Sequence, residues 1–160
     1  MTDFHSEYEH KLLSTIDKHG WQFTFVFDPD GKEPDFGYSV GFTRTLNAPE
    51  FIVFGLPKEL MSSMLWEVYR QIKGGAEPKD GMKWVGLLDG FNCISRRAIH
   101  QELHKEYTVS ANWLWHKSGN AGAPEVFQLV WPGAAQGLFP WEKGCVQDVI
   151  DAQPALWVRE

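Results

Sequence analysis

Phe36-Gly37-Tyr38-Ser39-Val40-Gly41-Phe42 decides how this chain is read. Phe36, Tyr38, Val40 and Phe42 are large and apolar, and Gly37, Ser39 and Gly41 lie between them. Successive side chains of a strand point to opposite faces, so this strand has one greasy face and one nearly bare face. Glycine weakens a strand interior and marks close approach of another backbone, a helix or a ligand. The bare face is therefore a first site candidate, with Ser39 on it and Tyr38 next to it on the same strand.

Working outward, Trp21-Gln22-Phe23-Thr24-Phe25-Val26-Phe27 also alternates and reads as a strand. Asp28-Pro29-Asp30-Gly31 is turn chemistry, so the two strands should form an antiparallel hairpin with a longer loop. Upstream, Phe4, Tyr8, Leu12 and Ile16 recur at fours and predict a helix over 3–19, capped by Thr2 or Asp3 and closed at Gly20. Downstream, Thr43 to Glu50 reads as a polar connection. Phe51-Ile52-Val53-Phe54-Gly55-Leu56 is apolar without alternation, as in a strand covered on both faces.

Pro57 suits the first position of a helix, and Leu60, Met61, Met64, Leu65, Val68 and Ile72 form its core stripe up to Gly74-Gly75. Strands are expected over 82–88 and 91–95, joined at Asp89-Gly90. Ile99, Leu103 and Tyr107 predict a short helix over 98–107. Residues 109–117 fit helix or strand equally. Val126 to Trp131 reads as a strand, followed by a Gly/Pro loop over 132–144 and a short helix near 146–152. These elements make one α+β domain over residues 1–160, a mostly antiparallel sheet with two main helices packed on it.

Composition narrows the function classes. The chain has 160 residues, 43% of them hydrophobic and 22% charged, as in an ordinary globular protein. Its net charge of −6 and pI near 5.5 argue against nucleic acid as a partner, since phosphate backbones are gripped by clustered Lys and Arg. The polar, acidic N-terminus lacks a secretory pattern, and no apolar run is long enough to span a bilayer, so no membrane partner is expected. Cys93 and Cys145 form no C-x-x-C and read as free thiols of a reducing compartment, with the cytoplasm as default location.

Several stretches together resemble the bacterial domain-of-unknown-function family 4262. They are His19-Gly20-Trp21, residues 37–43, residues 49–57, Gln128-Leu129-Val130-Trp131-Pro132 and Phe139-Pro140-Trp141. The resemblance spans roughly 15–145 and implies membership without implying a reaction. Relatives often carry His before the Pro-Glu pair, where this chain has Ala48.

These residues bear on metal, nucleophilic and phosphate-binding chemistry. His100 and His104, at i and i+4, could face one ion with Glu125, His116 or His19 as a third ligand, but His100-Gln101-Glu102-Leu103-His104 matches neither zinc-protease pattern, and no metal site is expected. Ser39 fits the letters G-x-S-x-G, yet it sits mid-strand rather than on a strand-to-helix elbow. Cys145 has no base nearby in sequence. Gly55-Leu56-Pro57 precedes a helix, but Pro57 removes one N–H that a phosphate cradle would use.

What remains is polar residues beside aromatics. Thr43 and Arg44 leave the glycine-bearing strand, Glu50 precedes the buried one, and Trp131 and Trp141 flank the Pro-rich loop. Arg44 could bind a carboxylate or phosphate, or simply pair with Glu50. The expected ligand-contacting set is Tyr38, Ser39, Thr43, Arg44, Glu50, Trp131 and Trp141, in a non-enzymatic domain binding a small molecule or protein without a cofactor. Two alternatives stand beside it. One is a hydrolase using Ser39 or Glu50 with His19 or His116; the other is an acidic immunity- or antitoxin-type interaction protein.

Overall fold

A computed structural model describes residues 6–158. The chain runs through α1 (Glu7–His19), β1 (Gln22–Val26), β2 (Phe36–Val40), α2 (Phe42–Thr45), β3 (Glu50–Phe54) and α3 (Lys58–Lys73). It continues through β4 (Met82–Leu88), β5 (Phe91–Arg97), a π-helical turn (Leu103–Tyr107), α4 (Val109–Lys117), β6 (Val126–Val130) and α5 (Gln147–Asp151). Six strands form one sheet in the order β1-β2-β3-β6-β5-β4. Every neighbouring pair is antiparallel except β3 and β6, which run parallel. The fold is a single α+β domain with helices packed on the sheet, α3 being the main one.

The two faces of the sheet follow directly from strand alternation. On one, Phe51, Val53, Phe127 and Leu129 meet Met61, Met64, Leu65 and Val68 of α3. On the other, Tyr38, Val40, Ile52 and Val126 meet Leu12 and Ile16 of α1, Ala111 and Leu114 of α4, and Leu156. Both faces are covered, so β2, β3 and β6 are buried at every position.

Local chemistry explains most element boundaries. Ser6 caps α1 in a reciprocal box with Glu9, and Gly20, at φ +93°, closes it by donating its N–H to the Ile16 carbonyl. The proposed caps Thr2 and Asp3, and Phe4, lie outside the described residues. Asp89-Gly90 makes the tight turn that pairs Leu88 with Phe91. The segment 109–117, ambiguous by periodicity, is the helix α4.

Two expectations need correction. Residues 98–107 do not form a continuous helix. Ala98 and Ile99 instead bond in extended fashion to the Val126 and Leu156 carbonyls, and only Leu103–Tyr107 coil, as a π-helical turn. Tertiary bonding wins there over a weak helical stripe. The polar connection after Thr43 also begins with a helical turn, α2, whose backbone N–H groups are anchored by a carboxylate described next.

Candidate functional site

The bare face of β2 is filled, and by the chain itself. A Cβ at Gly37 would collide with the Phe23 ring of β1. Gly41 has φ +121°, and a Cβ there would lie 3.0 Å from the Trp21 Cα, so both conformation and space demand glycine.

Between these glycines the sheet opens. The ladder of β2 with β3 runs from Phe36↔Phe54 to Tyr38↔Ile52 and then stops. From there Ser39 and Glu50 take over with side chains. The Phe51 N–H donates to Ser39 Oγ at 2.9 Å, and Ser39 Oγ donates to Glu50 Oε1 at 2.7 Å. Phe42 N–H also donates to Oε1, at 3.0 Å. Oε2 accepts from Gly41 N–H at 2.9 Å, Thr43 N–H at 3.3 Å and Thr43 Oγ1 at 3.2 Å. A carboxylate therefore sits at the first turn of α2 and satisfies N–H groups that a helix start leaves open. Ser39 and Glu50 are both 0% exposed. Burial pushes the Glu50 carboxyl above the usual glutamate range, while the donations from Ser39, Gly41, Thr43 and Phe42 pull it back.

Of the seven residues expected to touch a ligand, Ser39, Thr43 and Glu50 come together in this cradle. Arg44 is exposed on α2 and is not among the Glu50 partners. Tyr38 points to the opposite face, where its hydroxyl accepts the Ser110 N–H at 3.0 Å and burial raises its pKa. Trp131 follows the last residue of β6, at the far end of the strands from Glu50, and its indole N–H donates to the Phe54 carbonyl at 2.8 Å. Gln153 grips the Trp131 backbone from both sides, accepting its N–H and donating to its carbonyl, each at 2.9 Å. Trp141 is 41% exposed and stacks on Phe139 at 5.1 Å, with the Arg96 guanidinium 5.2 Å from its ring.

His100 Nδ1 accepts the Glu102 N–H at 3.1 Å, and His104 Nδ1 lies 2.8 Å from Thr108 Oγ1. Burial lowers the His104 pKa. Among the described residues no group of three or more His, Cys, Asp or Glu is placed to hold a metal ion. Cys93 and Cys145 are both free, and burial pushes the Cys93 thiol up to about 12.

Open space lies elsewhere, at the end of the sheet where parallel β3 and β6 begin. A groove of about 670 Å³ there is lined by Arg97, His100, His104, Lys105, Asn112 and Glu125, among others. A smaller cleft of about 150 Å³ is lined by Thr43, Asn47, Ala48, Pro49, Trp115 and Glu125. Glu125 belongs to both, and Arg97 Nη2 holds its carboxylate at 3.1 Å. Asn112, Trp115 and Asn47 are additions that sequence reasoning did not single out. Asn47 carried the one available signal: at φ +51° it is the only non-glycine with positive φ among the described residues, a conformation asparagine tolerates better than most.

The family described as "Domain of unknown function (DUF4262)" matches residues 15–146. The chain belongs to this family. Residues 37–57 lie within that match and hold the Ser39–Glu50 cradle and one wall of the small cleft, Ala48 included. No curated protein and no solved structure matches the chain. No described helix is long and apolar enough to cross a membrane.

Proposed function

We propose that this DUF4262 domain is a non-enzymatic module that binds a small anionic molecule where β3 and β6 begin. The observation that carries this reading is the pair of adjoining depressions that share Glu125. Arg97 and Lys105 line the larger one against the single carboxylate of Glu125, in a chain whose net charge is −6. A local excess of positive groups in an acidic protein favours a carboxylate- or phosphate-bearing ligand. Asn112 adds an amide that can both donate and accept. Thr43 stands at the rim, and Arg44 supplies an exposed guanidinium one residue away.

Binding fits better than catalysis because the most reactive-looking polar group is fully engaged. Ser39 Oγ donates to Glu50 and accepts from Phe51, with no histidine among its partners. Activation of a serine needs a base within hydrogen-bond reach and a path for substrate. Ser39 is completely buried.

The test is a ligand screen of small carboxylates and phosphates followed by amide chemical shifts. Binders should move the amides of Asn112, Trp115 and Glu125, and Asn112→Ala with Lys105→Ala should weaken them without changing the melting temperature. Shifts clustered at Phe139 and Trp141 instead, or binders indifferent to both substitutions, would refute the assignment.

A further inference from the structure

The two edges of the sheet are treated differently. At β4, Lys83 and Val85 are exposed, Gly86 has φ +88°, and the register with β5 breaks between Trp84 and Leu88. Gln71 of α3 also donates to the Val85 carbonyl at 2.7 Å. A charge, a bulge and a side chain bonded to the edge backbone are devices that stop a strand from recruiting another.

β1, the other edge, has none of them. Gln22-Phe23-Thr24-Phe25-Val26 carries no charge, no proline and no glycine, and all five residues pair with β2 without a break. Its outward groups follow from the ladder. Gly55 N–H donates to the Asp35 carbonyl at 2.9 Å, which makes that opposed pair a hydrogen-bonded one in the β2–β3 register. Hydrogen-bonded pairs alternate along an antiparallel ladder, so Gly37 bonds toward β3 while Phe36, Tyr38 and Val40 bond toward β1. Their partners Val26, Thr24 and Gln22 then face inward, and the N–H and C=O of Phe23 and Phe25 face outward. Among the described residues nothing outside the β1–β2 ladder bonds to the backbone of β1.

We propose that β1 is a homodimer interface, pairing antiparallel with β1 of a second copy about a two-fold axis at Thr24. The argument for a second copy is self-complementarity. In this register Phe23 of each chain opposes Phe25 of the other and exchanges two backbone hydrogen bonds with it. Two cross-strand aromatic pairs form on the α3 side, and Thr24 meets its own symmetry mate on the other side. Phe27, 61% exposed just beyond β1, continues the aromatic row at the rim of this interface. The result is one continuous sheet through both molecules, leaving the Glu125 grooves free.

The experiment uses the whole chain. Light scattering across micromolar to submillimolar concentrations should give twice the 18.3 kDa chain mass. Thr24→Lys sets two ammonium groups opposite each other and should weaken dimerisation more than tenfold while the melting temperature of the monomer holds. In a Cys145→Ser background, Thr24→Cys should form a disulfide dimer under mild oxidation, because a residue opposing its own copy in a non-hydrogen-bonded pair has its Cα within disulfide range. Gln22→Cys, which faces Val26 of the other copy, should not. A monomer at all concentrations, a dimer indifferent to Thr24→Lys, or equal cross-linking at both positions would overturn the proposal.

Discussion

Replacing Glu50 by Gln changes one atom of a buried cradle and reports on what that cradle holds. Both carboxylate oxygens accept: Oε1 from Ser39 and Phe42, Oε2 from Gly41 and twice from Thr43. The better of the two Gln orientations keeps its carbonyl at the Oε2 position and puts its NH2 at the Oε1 position. One N–H can then donate to Ser39 Oγ, but the Ser39 O–H and the Phe42 N–H, which both donated to Oε1, lose that acceptor. Each orphaned buried donor costs about 1–3 kcal/mol, and because the Ser39 hydroxyl can rotate we expect a loss of about 2–4 kcal/mol. For a chain of this size each kcal/mol shifts the melting temperature by about 2–4 °C, giving a fall of about 4–16 °C by calorimetry at neutral pH.

The pH dependence has a definite sign. A proton on Glu50 can be donated to Ser39 Oγ and still leaves lone pairs for Phe42, which the Gln NH2 cannot offer. Burial raises the native carboxyl, so the folded chain keeps this proton at pH values where the unfolded chain has released it. Within that window the folded state binds more protons, and stability attributable to Glu50 increases as pH falls. Gln does not titrate. The gap between wild type and Glu50→Gln should therefore widen on acidification from neutral and level off near the ordinary glutamate range of roughly pH 4–5. A variant as stable as wild type at neutral pH, or a gap that closes with acid, would refute this account of the cradle.

Two other outcomes follow from contacts. Gly37→Ala drives a methyl into the Phe23 ring and should cost about 1–3 kcal/mol, measured by urea unfolding, with part of the loss recovered in Gly37→Ala/Phe23→Leu. Cys145 is half-buried and Cys93 fully buried with its thiol pushed up to about 12, so an aromatic disulfide reagent should titrate one thiol in the native chain and the second only on unfolding.

Periodicity and turn chemistry, which are local, made most of the fold legible. Alternation in 21–27 and 36–42, the α3 stripe behind Pro57, and Asp89-Gly90 each carry their structure within a few residues. Where local signals were weak, neighbours decided: Ala98 and Ile99 extend because distant carbonyls accept their N–H groups, and 109–117 coils because Ala111 and Leu114 have a core face to meet. Gly37 in β2 and Gly41 just after it announced a close approach, and that much was readable from their lack of bulk. That the approaching bodies are Phe23, Trp21 and the Glu50 carboxylate was not, because sequence states how much room a position leaves and never who fills it. The groove around Glu125 was equally hidden. It is assembled from β5, the π-helical turn, α4 and the segment before β6, which only parallel pairing of β3 with β6 brings to one end of the sheet.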